Sequence, residues 1–157
     1  MLIHYASLTE LLDALTHTKA QTLSRFELSE ADLDKTYAEG KWTVRQLLHH
    51  LADAETVLYD RIRRIIANPG QVIWAFEQDL WAEHLQYETL PLEINRQIYA
   101  SVRDAVILLA RTHYEQKGFH PFVHNETGSR TLKEEFEKIA WHNVHHLNQI
   151  EQAVSSE

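Results

Sequence analysis

Thr43-Val44-Arg45-Gln46-Leu47-Leu48-His49-His50-Leu51-Ala52-Asp53 is the stretch that decides how this chain folds. Thr43 and Gln46 stand three apart at its head. That is a capping box, in which each side chain satisfies a backbone N–H left free at a helix start. Behind the box, Leu47, Leu48, Leu51, Ala54, Leu58, Ile62 and Ile65 recur at helical spacing. They predict one long amphipathic helix, stopped at Asn68-Pro69-Gly70, where proline cannot continue the hydrogen-bond ladder.

Three further segments carry the same signature. Ser7-Leu8-Thr9-Glu10 is a capping box for a helix expected from Leu8 to about Phe26, striped by Leu8, Leu11, Leu12, Leu15 and Leu23. Pro91, favoured in a first turn, opens another that carries Ile94, Ile98, Val102, Ala105, Leu108 and Leu109 and ends before Gly118. Thr131-Leu132-Lys133-Glu134 caps the last, with Leu132, Phe136, Ile139, Ala140, Leu147, Ile150 and Val154, expected to reach the C-terminus. Ser29-Glu30-Ala31-Asp32 predicts a short helical turn, and Trp74 to Leu85 reads equally as a short helix or an ordered loop. Without strand signals or repeats, the reading is an all-α fold, a four-helix bundle forming a single domain over residues 1–157. Its connections run to roughly 16 residues after the first helix and over 20 after the second, against about 2–8 in ordinary bundles. Loops of that length cover or shape sites.

Composition narrows the function. The chain has no cysteine, which excludes disulfides, thiolate metal sites and a cysteine nucleophile, and leaves histidine, carboxylate and water as metal ligands. Fifteen basic against 23 acidic residues give a net charge of −8, which repels a phosphate backbone and argues against nucleic acid as a partner. Met1-Leu2-Ile3-His4-Tyr5-Ala6 shows no basic leader, and no apolar run reaches membrane-spanning length; a soluble cytoplasmic protein without membrane partners is expected.

Helical wheels sort the histidines. With Leu47 at zero, His50 falls at roughly 300°, bordering the apolar stripe, and His49 at roughly 200°, facing away. With Leu132 at zero, His146 and His142 share one flank at about 320° and 280°, and His145 lies near 220°. His142 and His146 are separated by about 6 Å along the axis, a spacing that lets two imidazoles of one helix grip one ion. His50, from another helix, would complete a trihistidine metal site with an open position, where water or a thiol becomes more acidic. The alternative is a set of hydrogen-bonded boundary histidines. Asn143 stands where a zincin places its glutamate, so metalloprotease chemistry is not expected. Asp53 and Gln149 lie beyond the histidine flanks and are candidates to orient a ligand imidazole. Trp42 and Trp141 read as packing aromatics, His120-Pro121 as a turn, with reach to the site as the alternative, and His4, His17 and His84 as surface or loop residues.

The combination of Trp42 through Asp53, Trp81-Ala82-Glu83, His120-Pro121 and Trp141-His142-x-x-His145-His146 resembles the DinB-like superfamily, in particular its YfiT-type branch of metal-dependent hydrolases and bacillithiol transferases. The resemblance covers roughly Lys41 to Ile150. It implies an up-down-down-up DinB-like bundle, often a homodimer, with one divalent ion, zinc or nickel, held by His50, His142 and His146. It also implies transfer of a small-molecule thiol to an electrophile, the thiolate coming from a cosubstrate because the chain has none. Two positions depart from the family pattern: Phe122 replaces an acidic residue after His120-Pro121, and Leu147-Asn148-Gln149-Ile150 lacks a further histidine. The expected function is therefore a metal-dependent enzyme, a low-molecular-weight thiol S-transferase or a hydrolase using metal-activated water. A non-catalytic bundle that binds metal or a partner is the alternative.

Overall fold

Thr43 and Gln46 close their box in both directions: Gln46 N–H donates to Thr43 Oγ1 at 3.2 Å, and Thr43 N–H to Gln46 Oε1 at 2.8 Å. The computed structural model describes residues 4–155. In chain order its elements are α1 (Leu8–Arg25), α2 (Glu30–Leu33), α3 (Val44–Ala67), β1 (Val72–Ile73), α4 (Gln78–His84), α5 (Leu92–Lys117), β2 (Pro121–His124), β3 (Gly128–Thr131) and α6 (Leu132–Ser155). The Thr131 box also forms, with Thr131 N–H donating to Glu134 at 2.7 Å. At Ser7 the hydroxyl accepts from Glu10 N–H, but the Glu10 carboxylate reaches back to Ala6 N–H, one residue short of a true box. Pro91 is the N-cap of α5 rather than part of its first turn. The last helix runs to Ser155; Ser156 and Glu157, to which it was expected to extend, lie outside the described residues.

Side-chain pairs fix the helix directions. His49 meets Asn95 and Glu55 meets Arg103, so α3 and α5 run parallel. Thr22 meets Asn143 and Arg25 meets Glu151, so α1 and α6 do too. Lys19 pairs with Asp104 while Arg96 pairs with Glu27, which sets α1 against α5. His50 with His142, and Arg61 with Glu135, set α3 against α6. This is the up-down-down-up bundle.

The reading without strands is corrected by a small sheet of order β1-β2-β3. Val72 pairs in parallel with Val123, and β2 and β3 form a hairpin in which Gly128 takes φ +77°, a conformation that costs other residues a Cβ clash. Its strands are too short to show a period, and β1 joins the hairpin from about 50 residues earlier in the chain. Phe122 and His124 point inward from β2 and pin the hairpin to the bundle. Two apolar layers fill the interior, one around Leu11, Leu58, Ile62 and Phe136, the other around Leu47, Leu51, Tyr99 and Ile150. No described helix is long and apolar enough to cross a membrane.

Candidate metal centre

Because α3 and α6 run antiparallel, the second turn of α3 lies beside the middle of α6, and His50 meets His142 and His146. The Nε2 atoms of His50 and His142 are 3.0 Å apart, those of His142 and His146 are 3.1 Å apart. Among the described residues these three form the one group of His, Cys, Asp or Glu whose ligand atoms gather closely enough, within 4.8 Å of one another, to hold a metal ion. Burial holds the pKa of His50 down at about 3 and that of His146 at about 4; His142 is pushed well below the ordinary range by burial first, then by the neighbouring imidazoles. All three are therefore neutral near pH 7.

Neutral imidazoles cannot satisfy this geometry alone. Gln149 Oε1 lies 2.7 Å from His146 Nδ1 and accepts its proton, so the His146 Nε2 lone pair faces inward. A single proton on His142 Nε2 can serve only one of its two close neighbours. If that proton sits on Nδ1 instead, the His142 and His146 lone pairs oppose each other directly. His50 Nδ1 is buried without a hydrogen-bond partner. The arrangement suits a cation at the meeting point of the three lone pairs, and the donor set of three neutral nitrogens fits zinc or nickel.

Aromatic rings wall one side: Trp42 stands 5.0 Å from the His50 ring, Phe76 stacks on it at 6.1 Å, and Trp81 packs edge-on against Phe76. A cleft of about 390 Å³ adjoins His146, lined by Lys41, Trp42, Gln78, Asp79, His146 and Gln149. Both long connections contribute to these walls, as their length led us to expect.

Of the two candidate orienting residues, Gln149 touches an imidazole of the trio and Asp53 does not. Asp53 accepts instead from the buried Tyr87 hydroxyl, and burial raises its pKa. His49 is corrected more sharply. Read as facing away from the core, it is fully buried, donating from Nε2 to Leu90 O at 2.9 Å and accepting at Nδ1 from Asn95 at 2.8 Å. The wheel detects the main apolar stripe but not the segment around Tyr87 to Leu90 that covers the opposite face of α3. His145 is exposed and stacks on Trp141. His120 lies against Phe119, away from the trio, and Pro121 opens β2 rather than a turn. Phe76, whose stacking sequence reasoning missed, had no signal beyond its aromatic setting.

The profile of the DinB superfamily matches residues 14–150. A protein of Oceanobacillus iheyensis bearing the name "Putative metal-dependent hydrolase" is 31% identical over 146 residues, covering 92% of this chain and 82% of its own. One of the same name from Halalkalibacterium halodurans is 29% identical over 127 residues, covering 81% and 74%. YfiT from Bacillus subtilis, described as a "probable metal-dependent hydrolase with an unusual four-helix bundle topology", superposes with a TM-score of 0.87 at 25% identity, over 96% of this chain and 87% of its own. By motif, fold and sequence alike, this chain belongs to the DinB superfamily.

Proposed function

We propose that the chain is a metal-dependent enzyme acting on small molecules, with His50, His142 and His146 as the ligands of one zinc or nickel ion. The observation that carries this reading is the approach of three neutral Nε2 atoms, His142 to 3.0 and 3.1 Å of its two neighbours, where one proton can serve only one of the two contacts. A divalent ion held there supplies a Lewis acid that lowers the pKa of water or a thiol. The protein does the rest. Gln149 keeps the His146 proton on Nδ1 and the ring turned inward. Trp42 and Phe76 shield His50 from water, while a cleft opens beside His146 between Lys41 and Asp79.

Hydrolysis is the reading supported by the names of the relatives. Transfer of a low-molecular-weight thiol to an electrophile is the second, favoured by a chain that has no cysteine of its own and an open cleft beside the trio. The active species is proposed to be a homodimer. Elemental analysis of untagged protein should return about one divalent ion per chain. Metal-loaded protein is then offered esters and amides, and in parallel a bacterial thiol with a model electrophile. Cleavage or conjugation that disappears in His50→Ala identifies which reaction is native; the absence of bound metal sinks both. A monomeric mass at micromolar concentration removes the dimer.

A further inference from the structure

A separate pocket of about 140 Å³ lies between the β2–β3 hairpin and α6, lined by His124, Arg130, Glu134, Glu135, Lys138 and Trp141. Space on the order of four or five waters fits a small polar group rather than an extended ligand. Its charges are incompletely matched by the protein. Arg130 is occupied with Glu134 at 3.4 Å. Lys138, half-buried one turn before His142, makes no hydrogen bond or ion pair among the described residues. His124 is 5% exposed and its Nδ1 accepts from Glu126 N–H, which places its own proton on Nε2, where no described acceptor meets it. Glu135 is 3% exposed, yet its Oε1 has no hydrogen-bond donor, the Arg61 guanidinium standing off at 3.5 Å.

Glu135 Oε1 is the one buried orphan of this pocket among the described residues, and Lys138 and the His124 Nε2 proton are donors beside it that no described side chain takes up; together they describe a complementary partner. That partner accepts hydrogen bonds at Lys138 and His124 and donates one at Glu135. Position adds a second constraint, because Lys138 and Trp141, which both line this pocket, precede His142 on α6 by four residues and by one. We infer that the pocket binds a substrate carboxylate through Lys138 and His124, with an N–H or O–H on the neighbouring carbon turned to Glu135. The substrate is then a small anionic molecule, an amino or hydroxy acid or a derivative keeping that end free. Its carboxylate sits about one helical turn, ~5 Å, from the level of His142. Lys138 is a specificity residue for the reaction proposed above, on which this assignment rests.

The imidazole nitrogen resonances of the full-length protein, followed by NMR during titration with glycolate and with acetate, test this. Glycolate should shift His124 and bind more tightly than acetate, which lacks the hydroxyl for Glu135. Lys138→Met should weaken glycolate about tenfold or more, the value of one charge-assisted hydrogen bond, while Lys138→Arg retains binding. The His124 response should persist in the His142→Ala, His146→Ala variant, which separates this pocket from carboxylate bound at the trio. No shift at His124, equal affinity of the two acids, an unchanged response in Lys138→Met, or loss of the response in the double variant each overturns the assignment. None of these bears on metal content, which judges the metal reading on its own.

Discussion

Arg103 reaches Asn143, the residue next to His142, yet the surroundings of Arg103 and His142 differ in kind. Arg103 is fully buried between the two apolar layers, yet all that surrounds it is paired. Its guanidinium grips Glu55 through two bonds of 2.5 and 2.8 Å and donates to Asn143 and Thr18; Asn143 accepts from Tyr99 and donates to Thr22. All four bundle helices contribute. The histidine trio is drawn from two helices, sets two close Nε2 contacts against one proton that can serve only one of them, and leaves His50 Nδ1 buried without a partner. A buried polar cluster that satisfies itself specifies the fold, whereas one that does not awaits a ligand.

Substitutions can break that contrast, beginning with the largest effect. Glu55→Ala strands the Arg103 charge in the core and should cost about 3–5 kcal/mol in urea unfolding. A loss below ~1 kcal/mol would mean the network is not what specifies the core. Removing ligands should act in the opposite sense. Zinc at a thousand times its Kd stabilises the native chain by about 4 kcal/mol, and this increment should vanish in His142→Ala, His146→Ala while the metal-free protein still folds. Persistence of the increment places the metal elsewhere.

Acid sharpens the comparison. His50 and His146 have folded pKa values of about 3 and about 4, against 6.5 when exposed. Below pH 6.5 the unfolded chain takes up protons that the folded chain refuses. Their contribution is thus fully present above pH 6.5 and is lost as pH falls, each at up to about 1.4 kcal/mol per pH unit. Arg103, its pKa raised by Glu55, keeps its charge throughout. Denaturation at pH 5 and 7 without metal should show the drop, and a flat profile would mean the imidazoles are not buried as described. The smallest test is a neighbouring pair. His49→Ala should retain metal but lose about 1–3 kcal/mol, because Leu90 O and Asn95 lose their partner; exposed His145→Ala should stay within about 0.5 kcal/mol. Metal loss in either would redraw the site.

The four long helices were legible because each announces itself twice, by an apolar period and by a terminus such as Thr43, Thr131 or Pro69-Gly70. Their up-down-down-up order was not in the period; it came from resemblance and is fixed in the structure by pairs such as His49–Asn95 and Thr22–Asn143. His50, His142 and His146 were legible since helical geometry alone places two of them on one flank. The Arg103 network had a signal that went unread: Glu55 lies at roughly 80° on the wheel that begins at Leu47, beside the apolar stripe. The β2–β3 hairpin was missed because its four-residue strands show no period, whereas His49 and β1 stayed hidden for another reason. Their environment is made by remote chain, the Tyr87–Leu90 segment and the pairing of Val72 with Val123, which no local window contains.

The rods hold the three imidazoles, while Trp42, Phe76, Gln78 and Asp79, which shape the mouth beside them, all come from connecting segments. The mouth is thus encoded in a different part of the chain from the grip. Exchanging residues 68–91 for the matching connection of a relative should change which molecules enter the mouth and leave the histidine frame and the Lys138 pocket untouched, because neither helix has to move. A scaffold divided in this way lets insertions and substitutions explore new chemistry at its mouth without first dismantling the part that makes chemistry possible.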